Sequence, residues 1–218
     1  MGKKHIPLVD RTYLLPFILI ISLFFLWGFA HAILDVLNKH FQEMLDITKA
    51  HSAMVQAMMY MGYFTMAIPA GLFITRFGYR KGVVLGLLLY GTGSFLFIPG
   101  QWLASFNAFL IALYVIGCGL TFLETAANPY VTELGSKETA ASRLNFAQSF
   151  NGLGCICAPL LTGLLLFHND SQTGSGNIAV PYVCIGIIVL IVAFVFSRVK
   201  LPEIEHAENA EPIKEGKS

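Results

Sequence analysis

The chain has 218 residues, of which 56% are hydrophobic and only 12% are charged, and its mean hydropathy is +0.66. A soluble domain has about 25% charged residues, so this composition excludes an ordinary water-soluble globule. The formal net charge of +1 also excludes both the strongly basic surface of a nucleic-acid-binding protein and the strongly acidic composition of a disordered chain.

Six membrane-spanning helices are predicted in chain order. Stretches without Asp, Glu, Lys or Arg run over 12–34, 50–75, 82–123, 144–169 and 171–197. A helix needs about 20 mostly apolar residues to cross the hydrocarbon core, so four stretches hold one span each and the longest holds two. The turn signal Pro99-Gly100-Gln101 divides the longest stretch. The predicted spans are 14–38, 50–75, 82–99, 105–133, 140–167 and 180–198.

Lys and Arg residues indicate the orientation of these spans. Twelve of the fourteen lie on one side of the predicted bundle, and only Lys39 and Lys49 lie on the other. The positive-inside rule therefore predicts a multi-pass protein of the inner (plasma) membrane with both termini in the cytoplasm. Residues 1–13 are then a cytoplasmic N-terminus and 14–198 the six-helix bundle. Because the end of the chain is rich in glutamate, 199–218 is predicted to be a cytoplasmic disordered tail or the start of a central loop.

No metal site, cofactor or enzyme activity is predicted. The cysteines all lie in apolar stretches, where thiols behave as small hydrophobic side chains, and we interpret them as free: Cys118, Cys155, Cys157 and Cys184. No second pair of ligands accompanies the Cys-x-Cys sequence. No His-Glu-x-x-His sequence or nucleophile with a nearby partner indicates a hydrolase.

Polar residues inside the spans mark the candidate functional positions. A charged side chain in the bilayer interior is costly, so an acid there usually faces the bundle interior or a water-filled cavity. At helical spacing the first span carries His31, Asp35 and Asn38, the second Gln56, Tyr60 and Tyr63, the fourth Thr121, Glu124 and Asn128, and the fifth Asn145 and Gln148. Four helices with hydrogen-bonding faces predict a hydrophilic cavity that holds a polar solute.

The same residues also have structural interpretations that the sequence leaves open. Asp35 lies near the end of its predicted helix and can pair with Lys39 at i+4. Glu124 can make a purely structural hydrogen bond. Asn145 and Gln148 can serve as hydrogen-bonding contacts between helices, as amides in membranes often do.

Three segments carry a family resemblance. Residues 24–28 read Phe-Phe-Leu-Trp-Gly ahead of Asp35, 123–131 read Leu-Glu-Thr-Ala-Ala-Asn-Pro-Tyr-Val, and 142–151 read Ser-Arg-Leu-Asn-Phe-Ala-Gln-Ser-Phe-Asn. Together they resemble the major facilitator superfamily, and more closely its fucose/galactose/glucose proton symporter family. The likeness covers all six predicted spans.

This resemblance implies an all-α membrane protein whose six transmembrane helices form the N-terminal half of a major-facilitator-type twelve-helix bundle. In such proteins the solute is held between two six-helix halves near the midplane. The implied second half is in the same chain, or is supplied by a homodimer or split partner. The implied partners are therefore a sugar, protons, membrane lipid and that second half.

The resemblance also implies proton-coupled sugar symport by alternating access. L-Fucose is favoured over glucose and galactose, because carriers of those sugars often have glutamine where this chain has Glu124. A glucose/galactose proton symporter of the same family is the alternative. A non-transporting sugar-binding or assembly subunit is the alternative from another class.

Roles for individual residues follow from the matched motif positions. Asp35 and Glu124 correspond to the protonation and coupling pair of the family, and the substrate-contacting asparagine is matched to Asn145. Amides supply both donors and acceptors to a polyol. The predicted sugar-binding set is therefore Asn145, Gln148, Glu124, Asn38, Asn128, Gln56 and Tyr63.

The loop after the second span departs from the family. Its signature is Gly-x-Leu-x-Asp-Arg-x-Gly-x-Arg-Lys, and in residues 71–81 of this chain Thr75 replaces the aspartate. The basic residues remain, whereas the acid that would pair with a neighbouring helix end is absent. We therefore expect a changed contact at this loop.

Overall fold

The computed structural model describes residues 7–45, 48–167 and 179–199. All regular secondary structure in this part of the chain is helical. The helices are α1 (Leu14–Leu45), α2 (Lys49–Phe77), α3 (Tyr79–Phe95), α4 (Phe97–Trp102), α5 (Phe106–Glu133), α6 (Ala140–Phe167) and α7 (Ala179–Arg198). The predicted tail, apart from Val199, lies outside the described residues, as do the first six residues of the predicted N-terminus.

Five helical segments of the described chain are long and apolar enough to cross a membrane: α1, α2, α3 with α4, α5 and α7. Helix α6 adds a further segment of 28 residues, which packs along α1. The prediction of an all-α membrane protein is confirmed, and six crossing segments fit these helices.

The predicted turn at Pro99-Gly100-Gln101 is wrong. Only Leu96, whose backbone is helical, separates α3 from α4, and α4 continues to Trp102. Pro99 lies in the first turn of α4, where proline is tolerated. The connection to the next crossing segment therefore follows Trp102, beyond the predicted end of this span.

Close contacts between glycines and backbone bring the helices together in pairs. A Cβ atom on Gly28 of α1 would collide with the carbonyl of Asn151 on α6, and one on Gly154 of α6 would collide with the carbonyl of Phe25 on α1. A Cβ atom on Gly117 of α5 would likewise collide with the carbonyl of Met59 on α2. Small residues let membrane helices approach to backbone distance, so these positions fix the α1–α6 and α2–α5 pairs.

The bundle has two ends, which we label by the orientation predicted from the Lys and Arg residues. We call inner the end that holds the start of α1, the α2–α3 turn, the α5–α6 connection and the end of α7, and outer the opposite end. At the inner end Arg143 is fully buried and donates hydrogen bonds to the carbonyls of Val131 (3.0 Å), Ser136 (3.0 Å) and Leu8 (3.3 Å). One side chain thus connects the end of α5, the α5–α6 connection and the N-terminal segment.

Candidate functional site

An aromatic and polar cluster lies where the middle of α1 faces α2. The indole Nε1 of Trp27 donates a hydrogen bond to the Tyr63 hydroxyl at 2.9 Å. The His31 Nδ1 lies 3.0 Å from the carbonyl of Trp27, and the His31 and Tyr63 rings are 5.8 Å apart. Trp27, His31 and Asp35 follow each other at i, i+4 and i+8, so they form one stripe along α1. We call these three residues the α1 stripe.

Asp35 lies at the outer end of the α1 stripe, beside a cavity of about 450 Å³. Its carboxylate accepts a hydrogen bond from Gln56 Nε2 on α2 at 3.1 Å. The side chain of Asp35 is exposed. Helices α1, α2 and α6 all line this cavity, with residues that include His31, Asp35, Gln56, Tyr60, Cys155 and Pro159.

Glu124 lies at the other end of the α1 stripe, in a much narrower space. The side chain is half-buried and lines a cavity of only about 10 Å³ with Trp27 and Asn128. That volume is close to the space for one water molecule, so a sugar does not fit beside Glu124 in this conformation. Glu124 also interacts electrostatically with Tyr63, whose hydroxyl accepts the hydrogen bond from Trp27. The two acids therefore lie at opposite ends of one connected set of side chains.

The predicted amide ligands fall into two groups. Among the described residues, the side-chain oxygens of Asn38 and Asn128 are buried without a hydrogen-bond partner, so both are available acceptors. Asn145 and Gln148 lie on the exposed face of α6. They do not line either of the two cavities described above.

Three residues of α6 that the predicted site set omits lie against α1 or line the Asp35 cavity. Asn151 Nδ2 donates to the Phe24 carbonyl at 3.2 Å, and the Cys155 thiol lies 3.4 Å from the Gly28 carbonyl. Pro159 lines the Asp35 cavity together with Cys155. The i, i+4, i+8 spacing of these three residues is the sequence signal that would have placed them on one face.

A metal ion has no evident place in this arrangement. Within 7–45, 48–167 and 179–199, no group of three His, Cys, Asp or Glu side chains is close enough to hold one. All four cysteines in that part of the chain are free. Hydrogen bonding and proton exchange at the two carboxyl groups are chemistry that the side chains of this cluster supply.

The sequence profile described as the Major Facilitator Superfamily matches residues 13–217. The chain belongs to the major facilitator superfamily. An L-fucose-proton symporter of Haemophilus influenzae is 39% identical over 224 residues, covering 92% of this chain and 52% of that protein. A glucose/galactose transporter of Brucella abortus is 36% identical over 192 residues, covering 86% of this chain and 47% of that protein.

A solved structure agrees with the fold. The crystal structure of the major facilitator superfamily transporter FucP in the outward conformation superposes with a TM-score of 0.74 at 37% identity, covering 88% of this chain and 51% of that one. This chain thus spans about half the length of the relatives it matches, which fits the half-bundle predicted from the sequence. These superfamily relatives are transporters rather than enzymes.

Proposed function

We propose that this chain forms half of a proton-coupled sugar symporter of the inner membrane, with both termini in the cytoplasm and L-fucose as the sugar. The observation that carries the proposal is the placement of Asp35 and Glu124 at opposite ends of the α1 stripe, in one half of a superfamily transporter. The identity of 39% to an L-fucose-proton symporter supports the choice of sugar. The second half is in the same polypeptide or in a partner.

The two acids are proposed to have separate tasks. The Asp35 cavity is wide and its carboxylate is exposed, so protons reach Asp35 readily from the outer end. Asp35 is proposed to take up a proton from this side and to carry it when the cavity closes. Glu124 lies deeper, beside Tyr63 and Asn128, where its state affects the groups proposed to bind sugar hydroxyls.

Sugar binding is proposed to need the second half. The space beside Glu124 is far smaller than a sugar, whereas Asn145 and Gln148 present amides on an exposed face of α6. A second half that covers this face would enclose the sugar between Asn145, Gln148, Glu124 and Asn128, with Asn38, Gln56 and Tyr63 bordering the path. Alternating access then consists of rocking one half against the other.

Uptake of labelled L-fucose by cells that express the intact transporter tests this function. Unlabelled L-fucose is expected to compete strongly, and D-glucose and D-galactose at the same concentration weakly. The opposite order would favour the glucose/galactose symporter, an alternative that the 36% identity to the Brucella abortus transporter supports. Binding of L-fucose without any uptake would contradict symport and indicate a non-transporting subunit.

A further inference from the structure

Four aromatic rings form a continuous wall where α1 faces α2. The ring centroids of Trp27 and His31 are 5.9 Å apart, and those of His31 and Tyr63 are 5.8 Å apart. The Tyr60 centroid lies 6.2 Å from that of Tyr63 and 6.5 Å from that of His31. Aromatic rings attract each other at centroid separations of about 4.5–7 Å, so these four side chains support one another. We call Trp27, His31, Tyr60 and Tyr63 the ring wall.

Tyr60 is the most exposed member of the ring wall. Its side chain is 56% exposed, whereas Trp27, His31 and Tyr63 are half-buried. Tyr60 and His31 also line the Asp35 cavity of about 450 Å³. Small-molecule sites measure about 300–1,000 Å³ and combine aromatic walls with a few polar groups, so this cavity has room for a monosaccharide. The predicted sugar-binding set contains neither Tyr60 nor His31.

Hydrogen bonds within the ring wall fix the polar atoms that it presents. The Trp27 carbonyl can only accept a hydrogen bond, so the His31 Nδ1 that lies 3.0 Å away carries the hydrogen. In a neutral imidazole the other nitrogen, Nε2, is then an acceptor. His31 therefore offers one acceptor to a solute in the cavity, next to the exposed face of Tyr60.

The outer side of the same cavity holds an acid and an amide that are already paired. Asp35 follows His31 at i+4 on α1, and Gln56 precedes Tyr60 by four residues on α2. Gln56 Nε2 donates to the Asp35 carboxylate at 3.1 Å. Because the two helices run in opposite directions, both pairs place the ring toward the inner end and the polar group toward the outer end. A solute with one apolar edge and several hydroxyl groups matches this division.

From this arrangement we propose that the Asp35 cavity is an outer sugar subsite, formed by this half alone and occupied before the sugar reaches the site between the halves. The apolar edge of the pyranose, which in L-fucose includes the methyl group on C5, packs on the Tyr60 ring. A ring hydroxyl donates to His31 Nε2. The inference rests on the proposed function, since it takes a sugar as the solute. The space beside Glu124 is too narrow for a sugar in this conformation, whereas the outer subsite is open.

Saturation-transfer difference NMR of the full chain in neutral detergent tests the outer subsite without any transport. L-Fucose is expected to receive most saturation at its methyl protons. Tyr60→Ala should weaken L-fucose binding about tenfold, because one methyl contact in an apolar pocket contributes roughly tenfold or more. Tyr60→Phe should retain binding, because the ring and not the hydroxyl makes the contact. If Tyr60→Ala does not fold, Tyr60→Gln gives the same decision.

The experiment has a matched sugar and a matched protein control. D-Arabinopyranose has the same ring hydroxyl groups with a hydrogen in place of the methyl group, so Tyr60→Ala should change its binding little. Phe194→Ala removes a ring of nearly equal exposure, 58%, from α7, which does not line the cavity. Equal weakening for both sugars, equal weakening in Phe194→Ala, or no methyl saturation in the unmodified chain would each overturn the outer subsite.

Uptake of labelled L-fucose by the intact transporter separates this inference from the proposed function. Tyr60→Ala should raise KM about tenfold with little change in the maximal rate, which is the signature of lost binding. Uptake by this variant with an unchanged KM would overturn the outer subsite and leave symport standing. Methyl saturation that Tyr60→Ala abolishes, in a protein whose intact transporter takes up no L-fucose, would overturn symport and leave the outer subsite standing.

Discussion

The two acids of this half-bundle come from equally clear sequence signals, yet they lie in different surroundings. Asp35 is exposed beside a cavity of about 450 Å³ and shares a hydrogen bond with Gln56 of α2. Glu124 is half-buried in a cavity of about 10 Å³. Asp35 is thus open to solvent, whereas Glu124 is enclosed by mostly apolar side chains and Asn128. This difference is the basis of the proposal that the two carboxyl groups act at different steps.

The largest expected effect is that of Asp35→Asn on accumulation. One proton moving through about 100 mV supplies about 2.3 kcal/mol, which corresponds to roughly fiftyfold accumulation of the sugar. Asp35→Asn in the intact transporter should reduce the accumulation ratio to about one while sugar exchange persists. Glu124→Gln should instead reduce both. Accumulation and exchange of labelled L-fucose in energised and de-energised vesicles give the two readouts. Identical behaviour of the two variants would contradict the proposal that Asp35 and Glu124 have separate tasks.

A smaller but still large effect is expected from Gly28→Ala, because it strains the contact between α6 and α1, the helix that lines both cavities. The added Cβ would meet the Asn151 carbonyl of α6, so backbone must move. Overpacking of this kind costs roughly 1–3 kcal/mol, and the melting temperature of the purified protein should fall. Gly152→Ala on α6 is the matched control, because no heavy atom lies within 4 Å of the Cβ that it adds. Equal melting temperatures for the two variants would show that the α1–α6 contact is looser than described.

An intermediate effect is expected from Gln56→Leu, which acts mainly through Asp35 because Gln56 is proposed only to border the sugar path. The change removes the amide that donates to the Asp35 carboxylate at 3.1 Å. A hydrogen bond to a charged group contributes roughly 1.5–3 kcal/mol when buried, and exposure of Asp35 reduces that value. Proton-driven accumulation should fall severalfold with little change in exchange. A matching loss of exchange would place Gln56 in sugar binding instead.

The smallest expected effect is that of Tyr63→Phe, which acts on the Glu124 side. Loss of the hydroxyl leaves Trp27 Nε1 without its acceptor and should cost about 0.5–1.5 kcal/mol of stability. Water is then expected to replace the hydroxyl, so Trp27 emission should shift to longer wavelength in a Trp102→Phe background. Tyr114→Phe is the control, since it removes a hydroxyl that pairs with Thr65 at 3.0 Å. A similar emission shift in that control would indicate a general loosening of the bundle.

Much of the fold could be predicted from the sequence, because charge-free apolar stretches determine which segments can cross a membrane. Helix α6 coincides with its predicted span, and α5 and α7 each begin within one residue of theirs. The end of the third crossing segment at Trp102 could not be predicted, because the Pro-Gly pair that suggested an earlier turn is accommodated inside α4. Local turn signals do not report whether a proline falls in the first turn of a helix.

The sequence identified the candidate residues by type, but it did not predict how deeply each side chain is buried. The polar spacing identified Asp35, Glu124 and the amides, yet it gave no indication that Glu124 lies in a narrow space or that Asn145 and Gln148 lie on an exposed face. Those differences depend on tertiary packing, which places α1 against α5 around Glu124 and α6 against α1. Asn151 and Cys155 were missed because they make their contacts to backbone carbonyls of α1.

The most direct test of sugar–proton coupling at Asp35 is the external pH of lightly buffered, de-energised cells that express the intact transporter. Addition of L-fucose should make the medium more alkaline as protons enter with the sugar, and Asp35→Asn should abolish this response while labelled L-fucose still equilibrates. Alkalinisation of unchanged size in an Asp35→Asn transporter expressed at the same level would contradict the account.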